Sequence, residues 1–274
     1  MKWKTSIISV LAISTLISCE DSTVIPVDKN SDEHGFSAPT ETTARANQQV
    51  LDDLPFHNKQ DFEDAIKGFI ATDEKLAIKN SRDEVIWRPG DYTFIDGDAP
   101  ASANPSLWRQ EKLNNINGLF KVSERIYQIR GYDLANMSVI EGDSGWIVVD
   151  PLTVRETAAQ GMALIKKHLG DKPITGVIFT HSHIDHFGGA LGVISDSERS
   201  TGNVPIVAPI GCIEEATSEN VIAGNAMTRR STFSYGKNLP RSERGHIGSG
   251  LGKAPAFGGA TGVIVPNYTV DKTG

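Results

Sequence analysis

Residues 180–189 read THSHIDHFGG, which places three histidines and one aspartate within six positions, directly after the apolar run ITGVIF at 174–179. The chain has only seven histidines, so the crowding asks for a chemical reason. The run ITGVIFT is almost continuously apolar, the pattern of a strand buried on both faces in a βαβ unit. The histidines therefore stand at the carboxyl end of a buried strand, where α/β folds open a crevice. His181 and His183 are two residues apart, so in extended backbone both rings fall on one side. Asp185 and His186 follow as the chain turns toward a helix, and Gly188 and Gly189 allow backbone to pack closely there. Three imidazoles and a carboxylate suit Zn(II), and four ligands in six residues are more than one metal draws from a short rigid loop. Two adjacent metals are the economical expectation. Satisfied surface histidines or a structural zinc are the weaker readings, because structural zinc sites usually use cysteine and close all four positions.

Upstream, RIYQIRG (125–131), NMSVIE (136–141) and WIVVD (146–150) are short and rich in β-branched and aromatic residues, and read as strands. The last two are joined by Gly142-Asp143-Ser144-Gly145, a hairpin-type connection. A helix is predicted next: Thr153 and Glu156 have capping-box spacing, Ala158, Ala159, Met162, Ile165 and Leu169 form an apolar face, and Gly170 sits where it ends. His168 falls in its last turn beside Lys166 and Lys167, where a cation favours the helix dipole. Further upstream, Phe62, Ala65, Ile66 and Phe69 recur at helical spacing, and NPSLWRQEKLNNINGLF (104–120) reads as a second short helix with Ser106 near its cap. His57 is a surface or packing residue on this reading.

The first residues form no part of the fold. MKWKTSIISVLAISTLISCED opens with Lys2 and Lys4, runs apolar from Ile7 to Ile17, and is too short for a stable bilayer span. Leu16-Ile17-Ser18-Cys19 resembles the lipobox of bacterial lipoproteins, so residues 1–18 are expected to be a signal peptide and Cys19 the lipidated residue. That predicts a lipoprotein of the bacterial envelope, in the periplasm or outer membrane, held by its lipid alone. Cys212 would then be the one remaining thiol, a small buried hydrophobe. Residues 19–48 are polar and aperiodic and read as a flexible tether; His34 does no chemistry there. With 274 residues, 39% hydrophobic content and a charge of −7, the rest supports one large globular domain or two small ones. The acidic balance offers no Lys/Arg stripe for nucleic acid.

The loop matches the H-x-H-x-D-H motif of the metallo-β-lactamase superfamily, and WIVVDPLT (146–153) resembles the strand-ending aspartate motif that precedes it there. LPFHNKQDFEDAIKGFIA (54–71), NPSLWRQ (104–110), GLFKVSERIYQIRGYDLANMSVIEGDSGWIVVDPLT (118–153) and ENVIAGNAMTRRSTFSYG (219–236) resemble a narrower family, the linear alkylsulfatases that hydrolyse dodecyl sulfate and related esters. The resemblance runs from about residue 45 to the end. It implies an α/β fold, the αββα sandwich of the superfamily, with only its first half present behind an N-terminal extension. The implied division is an N-terminal alkylsulfatase segment at 49–118 and an incomplete metallo-β-lactamase-like domain at 119–274.

The resemblance also implies roles. His181 and His183 would hold one zinc, Asp185 and His186 the other, with Asp185 also catalytic, and Asp150 would brace the loop by hydrogen bonds. A water between two Zn2+ would lose its proton near neutral pH and supply hydroxide for cleaving an alkyl sulfate to alcohol and sulfate. Asn225, Arg229 and Arg230 would contact substrate, since a guanidinium offers paired donors to a sulfate; an arginine pair on a helix is also an ordinary solvated face. His246 stands where the family often has a glutamine near the sulfate. The family completes its metal shells and adds its catalytic acid well beyond the loop, and this chain stops at VPNYTVDKTG (265–274). The expectation is an N-terminal fragment, weak in zinc and silent toward alkyl sulfates by itself, of a protein that is homodimeric when full-length. The alternatives are another hydrolase of the superfamily (a lactonase, thioesterase or β-lactamase) and a catalytically inactive envelope lipoprotein. The long match upstream of the loop argues against the former.

Overall fold

The structure, a computed structural model, describes residues 31–272. The signal peptide, Cys19 and the first part of the tether lie outside the described residues. Within them, α1 (Glu41–Asp53) and α2 (Gln60–Ala65) precede the short strand β1 (Phe69–Ala71). The strands β2 (Ile78–Lys79) and β3 (Val85–Trp87) pair only with each other, and α3 (Pro105–Asn114) leads into β4 (Gly118–Ser123), β5 (Ile126–Arg130), β6 (Met137–Glu141) and β7 (Trp146–Val149). A long helix α4 (Arg155–Leu169) crosses to β8 (Ile174–Ile178), followed by α5 (Ile184–Phe187), α6 (Asp196–Ser200) and β9 (Ile206–Pro209). Then come α7 (Cys212–Thr217), a π-helical turn over Ser218–Ile222, α8 (Gly224–Tyr235) and the edge strand β10 (Tyr268–Val270).

Among the described residues the main sheet runs β1-β4-β5-β6-β7-β8-β9-β10. Neighbours are antiparallel up to β7 and parallel from β7 to β10. The expected hairpin is present: Ser138 pairs with Val149 and Glu141 with Trp146, and the Gly142 N–H donates to the Gly145 carbonyl at 2.8 Å. So is the βαβ crossover, with β7 and β8 parallel and α4 between them.

Strand alternation sends Ile129, Met137, Val139, Trp146, Val148, Val177 and Ala208 to a fully buried face, where they form one core with Met162 and Ile165 of α4. Gly161 sits at the closest approach, since a Cβ there would lie 2.8 Å from the Met137 Cε. The opposite face is also apolar but only half-buried. Ile140 pairs with Ile147, and Val149 with Ile178 and Ile178 with Val207, all of intermediate exposure. One covered face and one apolar, partly open face suit one half of a sandwich.

Four local expectations change. The helix predicted through Phe69 stops at Ala65, and Phe69–Ala71 instead pairs antiparallel with β4. Gly68 forces this: its φ is +70°, and a Cβ there would lie 1.9 Å from the Lys121 carbonyl oxygen. Residues 69–71 thus extend the sheet from the far side of the boundary expected at 118. The end of the tether is helical, because Thr40 caps α1 by accepting from the Thr43 N–H, although α1 buries none of its side chains. In α3 the cap is Asn104, which accepts from the N–H groups of Ser106 and Leu107, with Pro105 in the first turn. The capping box at Thr153 and Glu156 does not form: Glu156 accepts from the Ala260 N–H, and Asp133 serves the start of α4.

Asp133 is fully buried between β5 and β6. Its carboxylate accepts from the N–H groups of Leu134, Thr153 and Ala256 and from the hydroxyls of Thr153 and Thr157. Burial raises its pKa against these hydrogen bonds. A carboxylate at the amino end of α4 is favoured by the helix dipole, so it replaces the capping box.

Candidate metal centre

Two parallel strand ends bring the site together. Where β7 ends, Asp150 and Leu152 both adopt left-handed backbone, φ +55° and +64°, which is costly for residues with a Cβ. The Asp150 N–H donates to the Ile178 carbonyl of β8 at 2.9 Å, and the Gly189 N–H donates to the Leu152 carbonyl at 2.9 Å. A Cβ on Gly188 would lie 2.2 Å from the Thr153 carbonyl oxygen, and one on Gly189 2.2 Å from that of Pro151. The two glycines therefore let the metal loop sit directly on residues 150–154, as their side-by-side placement predicts.

Asp150 is 8% exposed and anchors the loop. Its Oδ1 accepts from the Thr180 N–H at 2.8 Å. Its Oδ2 accepts from the Thr180 hydroxyl at 2.7 Å and lies 2.9 Å from the His186 Nδ1. Thr180 Oγ1 is in turn 2.9 Å from the His181 Nδ1. His181 and His186 are thus each held through Nδ1, which leaves Nε2 to face the other donors of the loop. His181 Nε2 lies 3.2 Å from His183 Nδ1, and His186 Nε2 lies 3.3 Å from Asp185 Oδ2. The rings of His181 and His186 are 4.1 Å apart between centroids.

The charges follow from this crowding. Burial pushes the His181 pKa down, and the neighbouring His186 and His183 add to it. For Asp185, burial works against the charge, but the hydrogen bond and charge of His186 outweigh it and hold the carboxyl below its usual value. For His186, burial also opposes the charge, and the hydrogen bonds to Asp150 and Asp185 overcome it and push the pKa up to about 9.

The donor chemistry fits a metal. Oxygen and imidazole donors converge on one small volume, and two of the ring nitrogens face each other at 3.2 Å. The ligand atoms of Asp150, His181 and His186 also lie within 4.8 Å of one another. Both Asp150 oxygens, however, are already accepting from Thr180 and facing His186, so Asp150 orients donors, while those of His181 and His183 and those of Asp185 and His186 face one another.

A cavity of about 340 Å³ opens beside the loop. His183, Asp185 and Glu219 of the π-helical turn are among its polar lining. Ile184, Met227, Tyr235 and Phe257 give it apolar walls. The residues expected to contact substrate lie elsewhere. Asn225, Arg229 and Arg230 are exposed on α8, whose cavity face is Met227, Thr228, Ser231 and Tyr235. His246 is 5% exposed, with its Nδ1 3.1 Å from the Tyr92 hydroxyl in a second core. It does not line the cavity beside the loop. Cys212 is buried, as expected. Sequence reading passed over Thr180, although its hydroxyl directly precedes His181. It also passed over Phe257, which comes from a distant irregular segment with no periodicity to mark it.

The metallo-β-lactamase superfamily model matches residues 130–204, which implies a metal, usually zinc. The chain is 46% identical over 237 residues to a linear primary-alkylsulfatase of Pseudomonas sp, covering 86% of this chain and 35% of that protein. It is 41% identical over 232 residues to an alkyl/aryl-sulfatase of Saccharomyces cerevisiae, covering 84% of this chain and 36% of the relative. Among solved structures, the stereoselective inverting sec-alkylsulfatase Pisa1 from Pseudomonas sp. superposes with a TM-score of 0.83 at 44% identity, over 86% of this chain and 37% of that one. The chain spans about a third of the length of the curated relatives that it matches.

Proposed function

We propose that this chain, a homologue of the alkylsulfatases over most of its length, supplies the metal-binding loop and part of the substrate cavity of a zinc-dependent enzyme that hydrolyses alkyl sulfate esters to alcohol and sulfate. The observation that carries this reading is the cavity. Asp185 and Glu219, with His183, give it an acidic lining that a metal held by the loop would turn toward an anionic head, and Ile184, Met227, Tyr235 and Phe257 suit a hydrocarbon tail.

His181 and His183 would hold one zinc and Asp185 and His186 a second, since their donor atoms already lie in those pairs. Bound there, zinc would supply Lewis-acid chemistry and an acidified water. The chain's own residues do the rest. Asp150 and Thr180 fix the ring orientations, Asp185 holds its negative charge against burial, and the apolar walls exclude water from the alkyl chain. With each metal drawing two donors from the loop, catalytic zinc would still need a third. Alone, the chain should bind zinc weakly and release little sulfate. The motif Leu16–Cys19 supports a lipid anchor at Cys19 and an envelope location, and the same reading includes a homodimeric full-length form.

The test is a chimaera in which residues 49–272 replace the matching segment of the Pseudomonas linear primary-alkylsulfatase. It should release sulfate from dodecyl sulfate, and His181→Ala should remove most of that activity. An inactive but folded, zinc-loaded chimaera, or one that hydrolyses a lactone or thioester instead, would overturn the reading.

A further inference from the structure

We propose that Thr180 is a positioning residue that selects the tautomer of His181, so that Nε2 is free to bind a metal. The inference rests on the reading of the loop as a metal site. A threonine hydroxyl has one proton. The hydroxyl donates it to Asp150 Oδ2 at 2.7 Å, so that proton is committed to Asp150. The oxygen's remaining role toward His181 Nδ1, 2.9 Å away, is to accept, which requires an Nδ1–H. In a neutral imidazole the other nitrogen then carries the lone pair. That nitrogen is the one that faces His183 Nδ1 at 3.2 Å. Histidine free in water prefers the opposite tautomer, with the proton on Nε2, so the site must impose the form that binds. Asp150 orders His186 directly, through Nδ1 at 2.9 Å, and is linked by hydrogen bonds to His181 through the Thr180 hydroxyl. One buried carboxylate thus sets both rings, one of them by relay.

The backbone separates this role from simple loop anchoring. The Thr180 N–H donates to Asp150 Oδ1 whatever the side chain, so Thr180→Val keeps that anchor and the side-chain shape while removing the hydroxyl. Three proteins are compared: the chain itself, Thr180→Val and Thr180→Ser, with Thr180→Ala in place of the valine should that variant fail to fold. In the metal-free state, long-range 1H–15N spectra should show the His181 proton on Nδ1 in the parent and in Thr180→Ser, and on Nε2 in Thr180→Val. Zinc affinity, read by competition with a chromophoric chelator, should fall about 10- to 100-fold in Thr180→Val, the usual effect of losing an orienting partner, and stay within about threefold in Thr180→Ser. An unchanged tautomer or unchanged affinity in Thr180→Val would overturn the proposal. A parent that binds no zinc yet shows the tautomer switch would overturn the metal reading and leave the relay standing.

Discussion

At the scale of single residues, Glu111 and Lys253 form an ion pair at 3.0 Å with both side chains almost wholly buried. Lys253 also donates to the Glu111 carbonyl at 2.7 Å and lies 4.8 Å from the Tyr92 ring centroid. Glu111 Oε1 accepts from the Gly250 N–H at 2.9 Å, and Gly248 leaves room for the carboxylate, because a Cβ there would lie 2.0 Å from its Cδ. Burial pushes the Lys253 ammonium down to about 8, against the pull of Glu111. The unfolded chain holds this proton up to about 10.5. Between the two values the unfolded state binds more protons, so stability from Lys253 rises with pH across that window and is lost as pH falls through about 8. Urea unfolding of the protein and of a Glu111→Leu/Lys253→Met double variant should therefore diverge in the parent's favour by roughly 2 kcal/mol between pH 7.5 and 10. A difference that stays flat with pH would contradict this. Nothing in the sequence marked the pair, since its partners are 142 residues apart.

At the scale of elements, α4 shows what local patterning can and cannot decide. Its apolar spacing and the glycine at its end were legible: Ala158, Met162 and Ile165 are buried, and Gly170 stands at the C-cap with φ +102°. Its start was misread because the capping-box spacing is satisfied by Thr153 and Glu156, while the competing acceptor, Asp133, comes from another connection. The same cause explains β1. The spacing Phe62, Ala65, Ile66, Phe69 fits a helix, yet the conflict at Gly68 is with Lys121, far along the chain. The role of Asp133 can be tested. Asp133→Ala would strand the buried N–H groups of Leu134, Thr153 and Ala256, at about 1 kcal/mol or more each, so the loss in unfolding free energy should reach about 3 kcal/mol. A loss below about 1 kcal/mol would show that the carboxylate does not organise this end of the helix. The raised pKa of Asp133 works against these hydrogen bonds: this group's contribution falls as pH rises from the ordinary carboxylate range through its folded value.

At the scale of the whole molecule, the sequence placed the chemistry better than the walls around it. The loop was legible because its four candidate donors are adjacent and follow a strand that its composition identifies. In the structure His181 Nε2 lies 3.2 Å from His183 Nδ1 and His186 Nε2 3.3 Å from Asp185 Oδ2. The cavity was not legible, because it joins the loop to α8 and to residues 255–261, which meet only in the folded chain. The arginine pair was the natural candidate for an anion, yet α8 turns Met227 and Tyr235 toward the cavity and leaves Arg229 and Arg230 exposed. No described helix is long and apolar enough to cross a membrane. The half-buried stripe of Ile140, Ile147, Val149, Ile178 and Val207 is the surface that another layer would cover in an αββα sandwich. The central proposal is that the loop would take two zinc ions, one per donor pair, with Asp150 behind them. Anomalous diffraction at the zinc edge from zinc-soaked crystals measures this directly. The account predicts two peaks, one between His181 Nε2 and His183 Nδ1 and one between Asp185 Oδ2 and His186 Nε2. A single peak held by Asp150, His181 and His186 would contradict it.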